Sequence, residues 1–157
     1  MNLIKDLDQF TTEYIYFFEP IKNNIMIDSL FIRILYSTDM FVMNGVYLSI
    51  PFQRIMVEKY YNKYKCSFDC NHHKEIIDQI KKIEEDILTK VNIKNKIKVY
   101  KIYEQICSGN IKFFSDSTEK IHNIFLLKIS GIWETDISYG VTYKFTNFNH
   151  QLKNISN

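Results

Sequence analysis

Two stretches near the C-terminus constrain the fold of this chain most strongly. Residues 125–134 are mostly apolar and contain the only tryptophan, and a short polar turn separates them from residues 139–145, where apolar and polar side chains alternate. Such alternation is typical of a β-strand with one buried face. We therefore predict a closing β-hairpin whose buried face carries Tyr139, Val141, Tyr143 and Phe145.

The same alternation assigns the remaining hairpin side chains to faces. Trp133 falls in register with Phe125, Leu127 and Ile129, so we interpret it as a core residue. Lys144 falls on the face opposite the buried one, and Lys128 alternates with Ser130 on the preceding strand. We expect these two lysines to extend a basic groove, if the protein has one.

Other apolar stretches predict further strands. Residues 29–37 and 40–50 both fit, and Asn44-Gly45 inside the second stretch is either a hairpin turn or a bulge. Residues 53–66 read as one long strand and residues 111–114 as a short one. Residues 10–18 fit a strand or a short helix, and residues 99–107 a short helix that ends before Gly109.

The clearest helix is predicted over residues 74–91. Its apolar residues recur at helical spacing, while lysines and acids occupy the other side. The apolar positions are Ile76, Ile77, Ile80, Ile83, Ile87, Leu88 and Val91.

The order of elements predicts a mainly β (α+β) domain that spans residues 1–157. A five-stranded, partly open barrel with the helix between strands 3 and 4 is an OB-fold, and the order fits it. An α+β sandwich with one helix has the same order. We expect residues 149–157 to form a frayed polar tail.

Composition narrows the function classes. No phosphate-binding glycine loop, zinc-protease motif or nucleophile elbow occurs, so we expect no enzyme and no cofactor. The formal charge of +2 is too small to identify a partner by itself. Three cysteines, acids near the N-terminus and no long apolar run predict an intracellular protein that does not enter a membrane.

A lysine-rich and tyrosine-rich stripe is the best functional candidate. On a single strand, Tyr61 would share a face with Lys59, Lys63 and Lys65. Lysines neutralise phosphates and a tyrosine ring can stack on a base, so this pattern suits single-stranded nucleic acid. The alternative is a solvated strand whose lysines protect a sheet edge.

A cysteine and histidine cluster raises the question of zinc. Cys66, Cys70, His72 and His73 lie within eight residues, which is cramped for four ligands of one ion. We favour a loop at a strand end with two buried thiols over a metal site.

Residues 124–145, with Lys-Ile-Ser-Gly-Ile-Trp-Glu-Thr and then Tyr-Gly-Val-Thr-Tyr-Lys-Phe, resemble the closing hairpin of a known family. The family comprises small OB-type single-stranded-DNA-binding proteins of large DNA viruses with A+T-rich genomes. Residues 31–50, with Tyr36-Ser37-Thr38 and Asn44-Gly45-Val46-Tyr47-Leu48, are similar to earlier strands of the same proteins.

The resemblance implies a non-enzymatic protein that coats single strands, with DNA as the first expectation, in viral replication, recombination or repair. Its location would then be the host cytoplasm or nucleus, and replication proteins would be its partners. One departure is that the last eleven residues contain no acid, whereas many replication single-strand binders end in an acidic tail.

Two expectations about partners stay open beside this one. The chain could instead be a protein–protein interaction module on a β scaffold, of a virus or a parasite, with the aromatics as a partner surface. The long predicted strands also allow a homodimer through an edge strand.

Overall fold

The computed structural model describes residues 4–115, 121 and 123–147. The predicted tail at residues 149–157 therefore lies outside the described residues. The helices are α1 (Lys74–Val91) and α2 (Lys101–Cys107), and three short 3₁₀ segments occupy Leu7–Gln9, Thr12–Tyr14 and Cys70–His73. The strands are β1 (Ile4–Asp6), β2 (Ile15–Phe17), β3 (Ile21–Lys22), β4 (Leu30–Ser37), β5 (Val42–Asn44), β6 (Val46–Pro51), β7 (Met56–Tyr60), β8 (Lys63–Ser67), β9 (Ile97–Val99), β10 (Asn110–Phe114), β11 (Ile124–Glu134) and β12 (Ser138–Asn147).

These strands form two sheets. The larger sheet has nine strands, with the order β1-β6-β11-β12-β9 and with β4 joining β11 to β2, β3 and β5. The smaller sheet has the order β10-β8-β7 and is antiparallel throughout. The prediction of a mainly β protein is confirmed, whereas the strand number exceeds the five of a simple barrel.

Strand β11 organises the larger sheet. It pairs with β12 along one edge, and on its other edge it pairs first with β6 and then with β4. Strand β5 in turn pairs with β4, and only Gly45 separates β5 from β6. The sheet must therefore bend at Gly45, where one strand passes from β4 to β11.

Gly45 allows this bend because it can adopt a positive φ. Its φ is +90°, and its N–H donates to the Ile34 carbonyl at 2.9 Å. A Cβ at this position would lie 2.6 Å from the carbonyl oxygen of Ile129 on β11. The hairpin turn expected as one alternative for Asn44-Gly45 is wrong, because β5 and β6 pair with β4 and β11 and not with each other.

Helix α1 begins and ends at the predicted residues. Its apolar face packs into the core through Ile77, Ile80, Ile83, Ile87 and Leu88. Glu84 also faces inward, where its carboxylate accepts hydrogen bonds from the backbone N–H groups of Ile102 (2.9 Å) and Tyr103 (3.0 Å). Glu84 thus satisfies two N–H groups in the first turn of α2 that have no partner within that helix.

The closing hairpin forms as predicted, but Trp133 is not a core residue. The pairing register of β11 with β12 shifts between Ile129 and Gly131, so that Ser130 is an extra residue. This bulge reverses the faces beyond it: Ile132 is buried, and Trp133 is half-buried on the outer surface of the sheet. The prediction failed because alternation was extended across the bulge.

The single long strand predicted over residues 53–66 is also wrong. Strands β7 and β8 form a hairpin, with Tyr61 and Asn62 as the turn between them. Within the part of the chain that the structure describes, no helix is both long and apolar enough to cross a bilayer.

Candidate nucleic-acid interface

Strands β8 and β10 of the smaller sheet bury one face and leave the other open, whereas β7 is exposed on both faces. Tyr64 and Cys66 of β8 point into the core with Ile111 and Phe113 of β10. Side chains that alternate with these residues point outward, and most of them are exposed. The open face carries Met56, Glu58, Tyr60, Lys63, Lys65, Ser67, Asn110, Lys112 and Phe114.

Strand register arranges this open face in rows. Lys63 lies opposite Tyr60 on one side and opposite Phe114 on the other. The rings of Tyr60 and Phe114 are each 73% exposed, and two strand spacings separate them by roughly 10 Å. The next row places Lys65 between Glu58 and Lys112. We call the side chains of these two rows the platform.

Tyr61 lies at the edge of the platform rather than on a strand. It is 81% exposed, and its φ of +57° is uncommon for a residue with a bulky side chain. Its ring packs edge-on against Tyr60, with 4.7 Å between centroids. The carbonyl of Asn62 accepts a hydrogen bond from the Ser115 N–H at 2.8 Å, which ties the turn to the end of β10.

The four residues predicted as one stripe are therefore divided. Lys63 and Lys65 are on the platform and Tyr61 lies beside it. Lys59 is opposite Tyr64 on the other face, with its ammonium 5.3 Å from that ring centroid. The shared face proposed for Lys59 and Tyr61 is wrong because the hairpin turn interrupts the alternation.

Lys128 and Lys144 share a face, as predicted. They lie directly opposite each other on β11 and β12, on the outer side of the larger sheet. The ammonium group of Lys128 lies 5.5 Å from the ring centroid of Tyr47 on β6. Two like charges in directly opposite positions repel each other, and a bound anion would relieve that repulsion.

A cleft joins Lys144 to the platform. It has a volume of about 440 Å³ and lies between β10 and β12, with Lys112, Phe114 and Lys144 on its walls together with Gln105 and Tyr143. The hydroxyl of Tyr143 donates to Gln105 Oε1 at 2.5 Å. Burial raises the pKa of Tyr143 to about 12, so its hydroxyl stays uncharged at neutral pH.

The ammonium groups of the lysines on this surface are available to bind anions. None of Lys63, Lys65, Lys112 and Lys144 forms an ion pair with an acid among the described residues. Among the described residues, Glu58 is the one acid on the platform, and none lines the cleft. The described part of this surface therefore has more lysines than acids next to two exposed rings.

The cysteine and histidine residues do not converge on one point among the described residues. Nε2 of the buried His73 accepts the Gln53 N–H at 2.9 Å, and Nδ1 lies 2.8 Å from the Asp69 carbonyl, so neither nitrogen is free for a metal. Cys66 is buried, which raises the pKa of its thiol to about 11. Cys70 is only partly buried and donates to the carbonyls of Ile106 and Cys107. Among the described residues no group of three candidate ligands comes together.

Sequence reasoning missed Tyr60, Lys112 and Phe114. Placing all of residues 53–66 on one strand put Tyr60 on the face opposite the lysines. The alternation Lys112, Phe113, Phe114 did contain the signal, because one of two adjacent phenylalanines on a strand must face outward.

No protein-family model matches the chain, and comparison with curated proteins and with solved structures gives no match.

Proposed function

We propose that the protein binds single-stranded nucleic acid, DNA being the first expectation, without catalysing a reaction. The observation that carries the proposal is the row of Tyr60, Lys63 and Phe114, which sets a cation between two exposed rings. Exposed rings stack with bases of any identity, and lysines neutralise the backbone. Viral replication, recombination or repair remains the proposed setting, as the resemblance implies.

The strand would follow a path from the platform to the larger sheet. Lys65 and Lys112 continue the positive charge from the first row, and the cleft leads on to Lys144 and Lys128. A duplex buries its base faces inside the helix, so exposed rings favour a single strand over a duplex.

We also propose that the larger sheet forms the partly open barrel of an OB-fold. Its support is the bend at Gly45, which lets β4, β11 and the β5–β6 strand pair in a closed circuit. On this view the smaller sheet is an addition to the barrel rather than one of its walls.

The deciding experiment is a binding titration with a fluorescent single-stranded oligonucleotide and the matching duplex. We expect tight binding of the single strand that weakens with salt, and weak binding of the duplex. Phe114→Ala and Tyr60→Ala should each lose roughly 1–3 kcal/mol of binding free energy. Tyr16→Ala removes an exposed tyrosine of β2 as a matched control and should bind like the parent.

Absence of single-strand binding at low salt would overturn the proposal. Single-strand binding with unchanged affinity in the platform variants would mean that the strand binds on another surface.

A protein–protein interaction module is the second candidate. Large apolar side chains are exposed along β2, β3 and the loop that follows, namely those of Tyr16, Phe18, Ile21, Ile25 and Ile27. An exposed apolar patch of this kind is typical of a protein interface. Light scattering across a concentration series tests its simplest form, a homodimer, and Ile25→Asp should shift the equilibrium toward monomer.

A further inference from the structure

The outer face of the larger sheet contains a second cavity, distinct from the platform. It has a volume of about 360 Å³, which is within the range of small-molecule sites (roughly 300–1,000 Å³). Its lining combines β3, the loop that follows, β4, β11 and β12. The residues that carry the argument are Lys22, Phe31, Arg33, Ser130, Trp133 and Thr142.

Two aromatic rings form the floor of this cavity, and two glycines make room for them. The indole of Trp133 lies against Gly140, where a Cβ would be 2.6 Å from Cζ2. The ring of Phe31 lies against Gly131, where a Cβ would be 2.5 Å from Cε2. The rings therefore lie close to the sheet and line the cavity, whose volume is large enough for a flat ligand.

The polar part of the lining is basic. Arg33 and Lys22 contribute two cations, and no acid is among the described residues that line the cavity, although Lys22 also borders a neighbouring cleft with Asp28, Glu134 and Asp136. Neither Arg33 nor Lys22 forms an ion pair within the part of the chain that the structure describes. A guanidinium group matches the geometry of phosphate oxygens and can hold them with two hydrogen bonds.

The loop that forms one wall is held in place by its own hydrogen bonds. Oδ1 of Asn23 accepts the N–H groups of Ile25 and Met26, and the hydroxyl of Ser29 donates to the Met26 carbonyl at 2.7 Å. The N–H of Asn23 donates to the Ser29 carbonyl, which closes the loop at its base. The wall is thus preorganised before a ligand arrives.

We propose that this cavity binds a nucleoside monophosphate unit, with the base against Trp133 and Phe31 and the phosphate on Arg33 and Lys22. The unit is either a free nucleotide or one nucleotide of a bound strand. Thr142, on the cavity wall, is two residues from Lys144 on the same face, so a strand held by Lys144 and Lys128 can reach the cavity. The inference stands without the platform, because no platform residue lines the cavity.

The test uses the intrinsic fluorescence of Trp133, the only tryptophan of the chain, together with calorimetry. AMP should quench the emission saturably, adenosine should bind more weakly, and inorganic phosphate should leave the emission unchanged. Arg33→Ala should weaken AMP binding roughly 10-fold, as expected for the loss of a charge-assisted phosphate contact. Trp133→Phe, measured by calorimetry, keeps an aromatic floor and should bind less tightly.

Lys82→Ala removes an exposed lysine of α1 as a charge-matched control and should bind AMP like the parent. Tyr60→Ala should also leave AMP binding unchanged. Failure of the parent to bind AMP at millimolar concentration would overturn the inference. Equal affinity of the parent and Arg33→Ala would overturn it too, and so would loss of AMP binding in Tyr60→Ala.

The oligonucleotide titration then identifies the source of the nucleotide. If Arg33→Ala also weakens single-strand binding, the cavity holds one nucleotide of a strand; if only AMP binding weakens, its ligand is a free nucleotide. Oligonucleotide binding without AMP binding would remove the cavity inference alone. AMP binding without oligonucleotide binding would remove the proposed function alone.

Discussion

The indole ring of Trp133 lies against the backbone of Gly140 on the neighbouring strand, and the two residues are directly paired in the β11–β12 ladder. A methyl group on residue 140 would overlap the indole, so Gly140→Ala must displace the ring or the strand. We expect a loss of roughly 1–3 kcal/mol in the free energy of unfolding. A shift of tryptophan emission toward the solvent-exposed value should accompany it.

Chemical denaturation followed by Trp133 fluorescence measures both effects. Lys144→Ala on the same strand face is the control and should change stability by no more than about 0.5 kcal/mol. An unchanged emission spectrum in Gly140→Ala would contradict the described ring position.

A second prediction concerns Gly45, where the larger sheet bends. Gly45→Ala would place a Cβ against the Ile129 carbonyl and would hold a non-glycine residue at a φ of +90°. Backbone strain of this kind costs about 1–3 kcal/mol, and the steric overlap adds to it. Thermal unfolding should show a clearly lower Tm than for Ser130→Ala, the control on the adjoining strand. Equal Tm values would mean that the bend does not depend on glycine.

A third prediction concerns the link between the two helices. Glu84→Ala leaves the N–H groups of Ile102 and Tyr103 without their acceptor, at a cost of about 1–3 kcal/mol for each buried group. Denaturant unfolding should therefore show at least about 2 kcal/mol of destabilisation. Glu104→Gln changes an exposed acid of α2 and should have little effect.

The pKa of Glu84 predicts how the free energy of unfolding changes with pH. Burial raises the pKa of Glu84, although the hydrogen bonds from Tyr103 and Ile102 oppose the shift. As the pH rises through the ordinary carboxyl range, Glu84 ionises in the unfolded chain while it stays protonated in the folded one. The folded state therefore loses stability until the pH passes the raised pKa of Glu84 in the folded state. Stability of the parent relative to Glu84→Gln should therefore fall with rising pH. A parent that gains stability over this variant as the pH rises would contradict the raised pKa.

A further prediction separates stability from binding at Tyr61. Tyr61→Gly removes a ring beside the platform but also removes the strain of a side chain at a positive φ, which costs about 1 kcal/mol or more. We expect Tm to stay level or rise while single-strand affinity falls. Tyr61→Phe keeps both the ring and the strain and should match the parent in both measurements. If Tyr61→Gly binds single strands like the parent, Tyr61 is not part of the interface.

The lysines of the platform predict a change in salt dependence. Each phosphate contact to a single strand contributes about 0.7 to the slope of log K against log salt. Lys65→Ala and Lys112→Ala should each reduce the slope by about that amount, whereas Lys82→Ala on α1 should not. Equal slopes for all these proteins would exclude the platform as a phosphate-binding surface.

Regular patterns within one helix or strand predicted this fold well, whereas the turns and bulges that interrupt those patterns were not predicted. Helix α1 was found from its spacing of isoleucines, because one face of an amphipathic helix must be buried. The β7–β8 turn was missed because Tyr61, a residue that rarely adopts a positive φ, occupies a position where glycine or asparagine usually marks the turn. At Ser130 the bulge shows only in the pairing register with β12, and Gly131 beside it was the one local signal, because glycine inside a strand often marks a bulge.

The same limit applied to the candidate site. Lys128 and Lys144 were placed correctly on one face because each lies inside a regular strand on its side of the bulge. Phe114 and Lys112 join Lys63 and Lys65 only through the pairing of β10 with β8, across more than forty residues that include both helices. The residues of each strand do not indicate which distant strand it pairs with.

The position of β11 also determines when the protein can fold during its synthesis. Ile32 on β4 pairs with Ile132, one hundred residues further along, and β6 likewise has its partner in β11. A ribosome therefore releases β4, β6 and α1 long before the strand that joins them emerges. Until then the nascent chain presents unpaired strand edges to its surroundings, which makes early translation the stage most exposed to aggregation.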